Sequence, residues 1–297
     1  MSKKRISEVA KNRSLVSDGA WGTFLHKKGL KSGECPERWC IDHPDDVLDI
    51  ARSYIQAGSD MIETNSFGGT AFKLEHYGLA NEVDKINEAA ANISAKAAGT
   101  DYWVIASIGP TGKMTVMGDV TEEELYTNFK EQASALEKGG ADAICIETMS
   151  AIDEATLAIK AVKENTNLEI ISTFTYERSP DGEYRTMMGV SPTEAAKASI
   201  AAGADIIGTN CGNGMERMIE IVKELRDAAP DTPILVHANA GLPTLVDGED
   251  VFPETPEQMA EFVPGIIEAG ANIIGGCCGT TPAHIKAIKE KIQSLSY

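Results

Sequence analysis

Two adjacent cysteines, Cys277 and Cys278, stand in the run NIIGGCCGTTPAHI at residues 272–285, in a chain that has only six cysteines. A third, Cys211, follows an asparagine in ADIIGTNCG at residues 204–212. In a reducing compartment clustered thiols bind metal or do chemistry more often than they form disulfides. Neighbouring residues of a regular strand point to opposite faces, so both members of the pair reach one ion only where the backbone is irregular. Gly275, Gly276 and Gly279 flank the pair and are expected to supply that irregularity, because glycine adopts conformations other residues avoid. Three sulfur ligands favour Zn²⁺, and three protein ligands rather than four leave the open position of a catalytic zinc site. Cys35, Cys40 and Cys145 read as core cysteines.

The elements that must bring these thiols together are legible as a repeating pattern. Short apolar or β-branched runs that end in small or polar residues recur at residues 14–19, 60–67, 102–110, 141–149, 168–176, 204–212, 233–241 and 271–279. Runs that are apolar on both faces suit buried parallel strands. Between them lie helical segments with recognisable starts. Thr121 with Glu124, Ser191 with Glu194 and Thr255 with Gln258 fit capping boxes, and Pro192, Pro256 and Pro282 sit where a first helical turn tolerates proline. Leu125, Phe129, Ala133 and Leu136 line one helical face. QAGSD, EKGGAD, AAGAD and EAGAN predict left-handed glycine caps before the next strand. Strand and helix thus alternate through the chain, which predicts one α/β domain over residues 1–297, a (β/α)8 TIM barrel. The longest insert, at residues 29–44 after the first strand, is expected to lie across the mouth.

Chemistry in this fold sits at the C-terminal ends of the strands. Those ends carry Asp18, Asn65, Glu147, Asn210, Cys211, Asn239, Cys277 and Cys278, so the three thiols are expected to converge from the last neighbouring strands. Forty-five acidic residues against 27 basic ones give a net charge of −18, which disfavours nucleic acid and anionic membranes as partners. No window approaches the roughly 20 apolar residues of a membrane span, and the expected location is the cytoplasm. Trp21, Phe24, Trp39 and Phe67 are candidates for an apolar platform; His26, His76, His237 and His284 show no pair spacing for a second metal.

The motifs DGAWGT, ETNSFGG, IGPTG, IET, NCGNG, HANAGLP and GGCCGTTPAHI resemble, in order and spacing over nearly the whole chain, the zinc-dependent homocysteine S-methyltransferase family. Within it the chain looks most like the homocysteine-binding module of cobalamin-dependent methionine synthase. The resemblance implies that a zinc centre held by Cys211, Cys277 and Cys278 activates the thiol of homocysteine for attack on a methyl group, giving methionine without a protein nucleophile. It further implies that Asp18 and Glu147 bind the substrate ammonium group, and that backbone amides around Gly19, Ala20, Gly22 and Thr23 hold its carboxylate. Asn239 is expected either to ligate zinc when substrate is absent or to bond a cysteine sulfur. Betaine-using members of the family place an aromatic residue directly after the strand-four glutamate; here that residue is Thr148. The expected donor is therefore methylcobalamin or another methylcorrinoid, with S-methylmethionine or betaine as alternatives. The chain has no D-x-H-x-x-G corrinoid motif, since His43 lacks the glycine, so a separate corrinoid protein is the expected partner. A zinc-binding accessory subunit, inactive alone, is the rival from another functional class.

Overall fold

The computed structural model describes residues 3–246 and 249–295; Met1, Ser2, Asp247, Gly248, Ser296 and Tyr297, included in the expected domain, lie outside them. Each of the eight expected runs coincides with a strand, the sixth strand running two residues past its expected end: β1 Leu15–Val16, β2 Met61–Glu63, β3 Trp103–Ile108, β4 Ala143–Met149, β5 Glu169–Phe174, β6 Ile206–Gly214, β7 Ile234–Asn239 and β8 Ile273–Gly276. They form one sheet in the order β1-β8-β7-β6-β5-β4-β3-β2, parallel at every pairing. With helices around it, this single domain is a (β/α)8 barrel. Among the described residues the seam between β1 and β2 carries no ladder and is closed by Asp60. Its N–H donates to the Val16 carbonyl at 2.7 Å, and its carboxylate accepts from the Val16 N–H at 2.8 Å and from Lys289 at 2.9 Å. Among the described residues, no helix is long and apolar enough to cross a membrane.

Alternation along each strand divides the core. Leu15, Met61, Ile105, Ala143, Cys145, Ile171, Ile206, Leu235 and Ile273 pack together inside the barrel, where Ile6 and Ala10 of the first helix join them. The intervening residues, such as Val16, Ile62, Ile144 and Val236, face the surrounding helices. The expected helical face is buried in the helix Glu122–Lys138, whose Thr121–Glu124 capping box is formed, as are those of Ser191 with Glu194 and Thr255 with Gln258. Gly203 and Gly270 close their helices at φ 116° and 113°, a region that an L side chain enters only with strain. Two short hairpins, Glu177–Arg178 with Tyr184–Arg185 and Thr244–Val246 with Glu249–Val251, stand outside the barrel sheet and had no counterpart in the expected pattern.

Candidate metal and substrate site

The same alternation that builds the inner core also lines the mouth. Two residues beyond an inward apolar side chain the next inward one appears: Met61 leads to Glu63, Ile105 to Ser107, Cys145 to Glu147, and Leu235 to His237. Glu63, Ser107, Glu147 and His237 all border a cavity of about 280 Å³, and Cys211, Cys277 and Cys278 border the same cavity.

At its thiol end the three sulfurs lie within 4.8 Å of one another, with 4.0 Å from Cys211 to Cys278 and 4.0 Å from Cys277 to Cys278. Zinc–sulfur bonds of about 2.3 Å in a tetrahedral arrangement require sulfurs about 3.8 Å apart, so the trio fits one such ion with little adjustment. The backbone reaches this geometry differently from expectation. Gly275 and Gly276 continue β8 in regular pairing with His237 and Ala238; they are needed for closeness. A Cβ on Gly275 would meet the Asp18 carbonyl at 2.8 Å, and one on Gly276 would meet Thr280 Oγ1 at 2.3 Å. The irregularity resides instead in Gly279, at φ 80°, and in Cys211 itself, at φ 58°. A non-glycine residue in that region marks a constrained, often functional position. The Cys277 N–H donates to the Ala238 carbonyl at 2.7 Å and the Ala240 N–H to the Cys278 carbonyl at 3.0 Å, which fastens the cysteine turn to β7. Hydrogen bonds from Cys277 and Cys278 bring the Cys211 thiol down to about 3, and the same bonds to Cys211 push Cys277 up and Cys278 up to about 12. Hydrogen bonding within the trio thus favours ionisation at Cys211 over its two neighbours. The Asn239 side chain, 3% exposed, also favours the Cys211 thiolate, and its Oδ1 has no hydrogen-bond partner among the described residues.

The opposite end is acidic. Glu63 and Glu147 border the cavity here, and Asp18 lies fully buried behind them; its carboxylate accepts from Trp21 Nε1 at 2.8 Å, from the Glu63 N–H at 2.8 Å and from Ser17 Oγ at 3.3 Å. Burial nonetheless raises its pKa to about 7. Glu147 accepts a short hydrogen bond from Ser107 Oγ and one of 3.2 Å from Asn210 Nδ2, and burial raises it to about 7 as well. Burial, then the neighbouring charges of Glu147 and Asp18, push Glu63 well above the usual carboxylate range. His237 is driven down to about 4 by burial, so it is neutral at physiological pH and leaves the acidic charge uncompensated. Although its sequence spacing suggested no metal role, His237 lies with Glu63 and Glu147 in a group whose ligand atoms fall within 4.8 Å of one another. Glu63 and His237 were missed as site residues; their position two residues beyond an inward core residue is the signal that would have found them.

The remaining wall includes Gly19, Ala20, Gly22 and Thr23, and Pro36 and Glu37 of the 29–44 insert. The Ala20 N–H is already engaged by Thr280 Oγ1 at 3.0 Å, so it is not free for a substrate carboxylate. Thr280 in turn donates to the Cys277 carbonyl at 2.7 Å, tying the cysteine turn to the loop after β1. Asn65 serves the wall structurally, donating to the Pro36 carbonyl at 2.7 Å. Asn210 holds Thr148, at φ 61°, by accepting from its N–H at 2.8 Å and donating to its Oγ1 at 2.7 Å. Of the four aromatic candidates, Trp21 and Phe67 border the cavity; Trp39 packs on His43 and Phe24 on Tyr54, so these two do not form a platform. His284 caps the last helix, accepting from the Thr281 N–H at 3.1 Å. Cys35, Cys40 and Cys145 are buried, as packing residues should be.

Comparison with known proteins agrees with this geometry. A family model described as Homocysteine S-methyltransferase matches residues 15–292. Methionine synthase of Mycobacterium tuberculosis is 30% identical over 98% of the chain, and methionine synthase of Mycobacterium leprae is 31% identical over 97%. The chain spans about 25% of the length of each of these relatives. The metallated form of the homocysteine methyltransferase MmuM from Escherichia coli has the same fold, with a TM-score of 0.79 at 22% identity, covering 96% of this chain and 98% of that one. With its thiol trio and acidic cluster at the strand ends of a barrel matched over nearly its full length, this chain belongs to the homocysteine S-methyltransferase family of enzymes.

Proposed function

We propose that the chain transfers a methyl group to the thiol of homocysteine, giving methionine, with Zn²⁺ held by Cys211, Cys277 and Cys278. The observation that carries this reading is the continuity of one cavity of about 280 Å³ from three sulfurs to a cluster of buried carboxylates. Such a cavity complements a small molecule with a thiol at one end and an ammonium group at the other. When bound, the zinc ion supplies positive charge that deprotonates a coordinating thiol while leaving its sulfur nucleophilic. The residues do the positioning. Asp18 and Glu147 take the ammonium group, their burial making an incoming cation more valuable than water would allow. Gly22 and Thr23 offer amides to the carboxylate, and Gly19 and Ala20 shape the wall beside them. Asn239 supports the Cys211 thiolate or fills the open ligand position before substrate arrives. The sulfur–carbon bond forms in line as the bond from methyl to donor breaks, its electron pair staying with the donor, and the thiol proton leaves to solvent. Proximity and orientation provide the acceleration.

As donor we propose a methylcorrinoid carried by a separate protein. The similarity to methionine synthases supports it, and Thr148 offers no aromatic face to a trimethylammonium cation. A cytoplasmic location would keep the trio reduced. Zinc-loaded protein incubated with homocysteine and, separately, methylcobalamin, S-methylmethionine or betaine tests the whole reading. Methionine is expected with methylcobalamin. Turnover with another donor alone corrects the donor; no turnover despite bound zinc and measurable homocysteine binding makes the chain an accessory subunit.

A further inference from the structure

Two carboxylates suffice for the ammonium site just described, yet a third faces the same cavity and has no assigned task. Glu63 is 8% exposed, and its Oε1 has no hydrogen-bond partner among the described residues. The neighbouring imidazole does not supply one: His237 Nδ1 stands 3.6 Å away, beyond hydrogen-bond reach. His237, 2% exposed and bordering the cavity, likewise leaves Nε2 unpartnered. The Glu63 backbone is fixed from both sides, its N–H donating to Asp18 at 2.8 Å and its carbonyl accepting from Ser94 Oγ at 2.7 Å. The side chain is therefore not displaced debris of a mobile loop but a positioned group in a strand. No lysine or arginine is among the described residues that border the cavity. A buried carboxylate without a counter-ion is costly, and a structure that retains three together leaves room for a cation from outside. A primary ammonium group carries three diverging N–H donors, enough to reach both carboxylates of the acidic end that border the cavity, Glu147 and Glu63, with Asp18 buried behind them.

We propose that Glu63 is a specificity-determining residue of this site, its Oε1 accepting a hydrogen bond from the substrate ammonium group so that the cavity selects a protonated amine over an uncharged analogue of the same length. The inference rests on the reading that the cavity takes an amino-thiol, and it adds a residue and a selection rule to that reading. His237 Nδ1, 3.6 Å from Glu63 Oε1, stands beyond hydrogen-bond reach and leaves that oxygen open to the ammonium group.

Calorimetric titration of zinc-loaded protein with homocysteine and with 4-mercaptobutyrate, which lacks the amine, separates the possibilities without requiring a methyl donor. Wild type is expected to bind homocysteine at least ~10-fold more tightly than 4-mercaptobutyrate. Glu63→Gln is expected to lose about 10- to 100-fold in homocysteine affinity, as a charged hydrogen bond would, with 4-mercaptobutyrate changed by less than about 3-fold and the zinc content unaltered. Glu63→Asp, which keeps the charge, should recover part of the loss, and it carries the same comparison should the glutamine variant fail to fold. Equal weakening of both thiols would assign Glu63 a structural role and overturn the proposal, as would unchanged homocysteine binding in a well-folded variant. A second equivalent of metal bound by wild type and lost in Glu63→Gln would give the group to an ion instead. If wild type itself binds neither thiol, the amino-thiol reading falls and takes the inference with it; if wild type binds homocysteine normally, only the inference is at risk.

Discussion

The two ends of the cavity solve one electrostatic problem with different chemistry. At the sulfur end, groups from β6 and the turn after β8 gather around a position suited to a soft cation, and the backbone leaves regular geometry at Cys211 and Gly279 to do so. At the acidic end, Glu63 and Glu147 project from β2 and β4 by ordinary alternation, with Asp18, two residues past β1, buried behind them. At the sulfur end the strained backbone at Cys211 sits beside the thiol trio that, under the proposed function, holds the metal ion. At the acidic end burial pushes the Asp18 and Glu147 carboxylates up to about 7, and under the proposed function the substrate's ammonium group would relieve that desolvation.

Removing a sulfur should have the largest effect and should be confined to one end. Cys277→Ser is expected to weaken zinc binding by at least ~100-fold and to abolish methionine formation to below about a thousandth of wild type, because a hydroxyl is a poor zinc ligand. Metal analysis after dialysis against a chelator, alongside the donor assay, checks both; retention of one zinc per chain would break the distinction between the ends.

Glu147→Gln should act on the other end alone, raising KM for homocysteine about 10- to 100-fold at unchanged zinc content, the scale of a buried charged hydrogen bond. Its stability should move in the opposite sense to its activity. Folded Asp18 and Glu147 titrate near 7 against ordinary values of 3.8 and 4.5, so the native state holds more protons than the unfolded chain in between. Their protonated forms therefore contribute stability that is complete below about pH 4 and is lost as pH rises through about 7. Thermal melts of metal-free, reduced protein should show Glu147→Gln gaining on wild type between pH 4 and pH 8, by at least ~1 kcal/mol at the alkaline end. A constant difference across that range would mean that the carboxylates are not desolvated as described.

The smallest expected effect falls on the strap joining the two ends. Thr280→Val removes the hydroxyl that bridges the Ala20 N–H and the Cys277 carbonyl, and zinc affinity should drop about 10-fold, the lower range for a residue that orients a ligand without touching the metal. Loss as large as that of Cys277→Ser would show that Thr280 does more than hold the turn.

Much of this was readable in advance, but unevenly. The helix starts at Thr121, Ser191 and Thr255 and the glycine stops at Gly203 and Gly270 are local signals, set by backbone groups a few residues apart, and the structure forms each where the pattern put it. The thiol trio was legible because cysteine is rare and its position at strand ends is informative. Glu63 escaped because a glutamate in the middle of DMIETNSF is one acidic residue among 45, and the expected run 60–67 passes the true strand end at Glu63, which put Asn65 in its place. The role of Gly275 and Gly276 was misassigned because sequence cannot separate a glycine needed for its dihedral angles from one needed for its missing Cβ.

What the chain's sequence determined alone is the alternation of strands and helices and the chemical types at the strand ends, since period, caps and composition act over short distances. Tertiary structure alone decided which of those groups share a cavity: that Asp60 seals the seam between β1 and β2, that Thr280 occupies the Ala20 N–H, and that Glu63 and His237 face each other unpaired. These are meetings between residues far apart in the chain, set by how the barrel closes, and no local pattern encodes a distance across it.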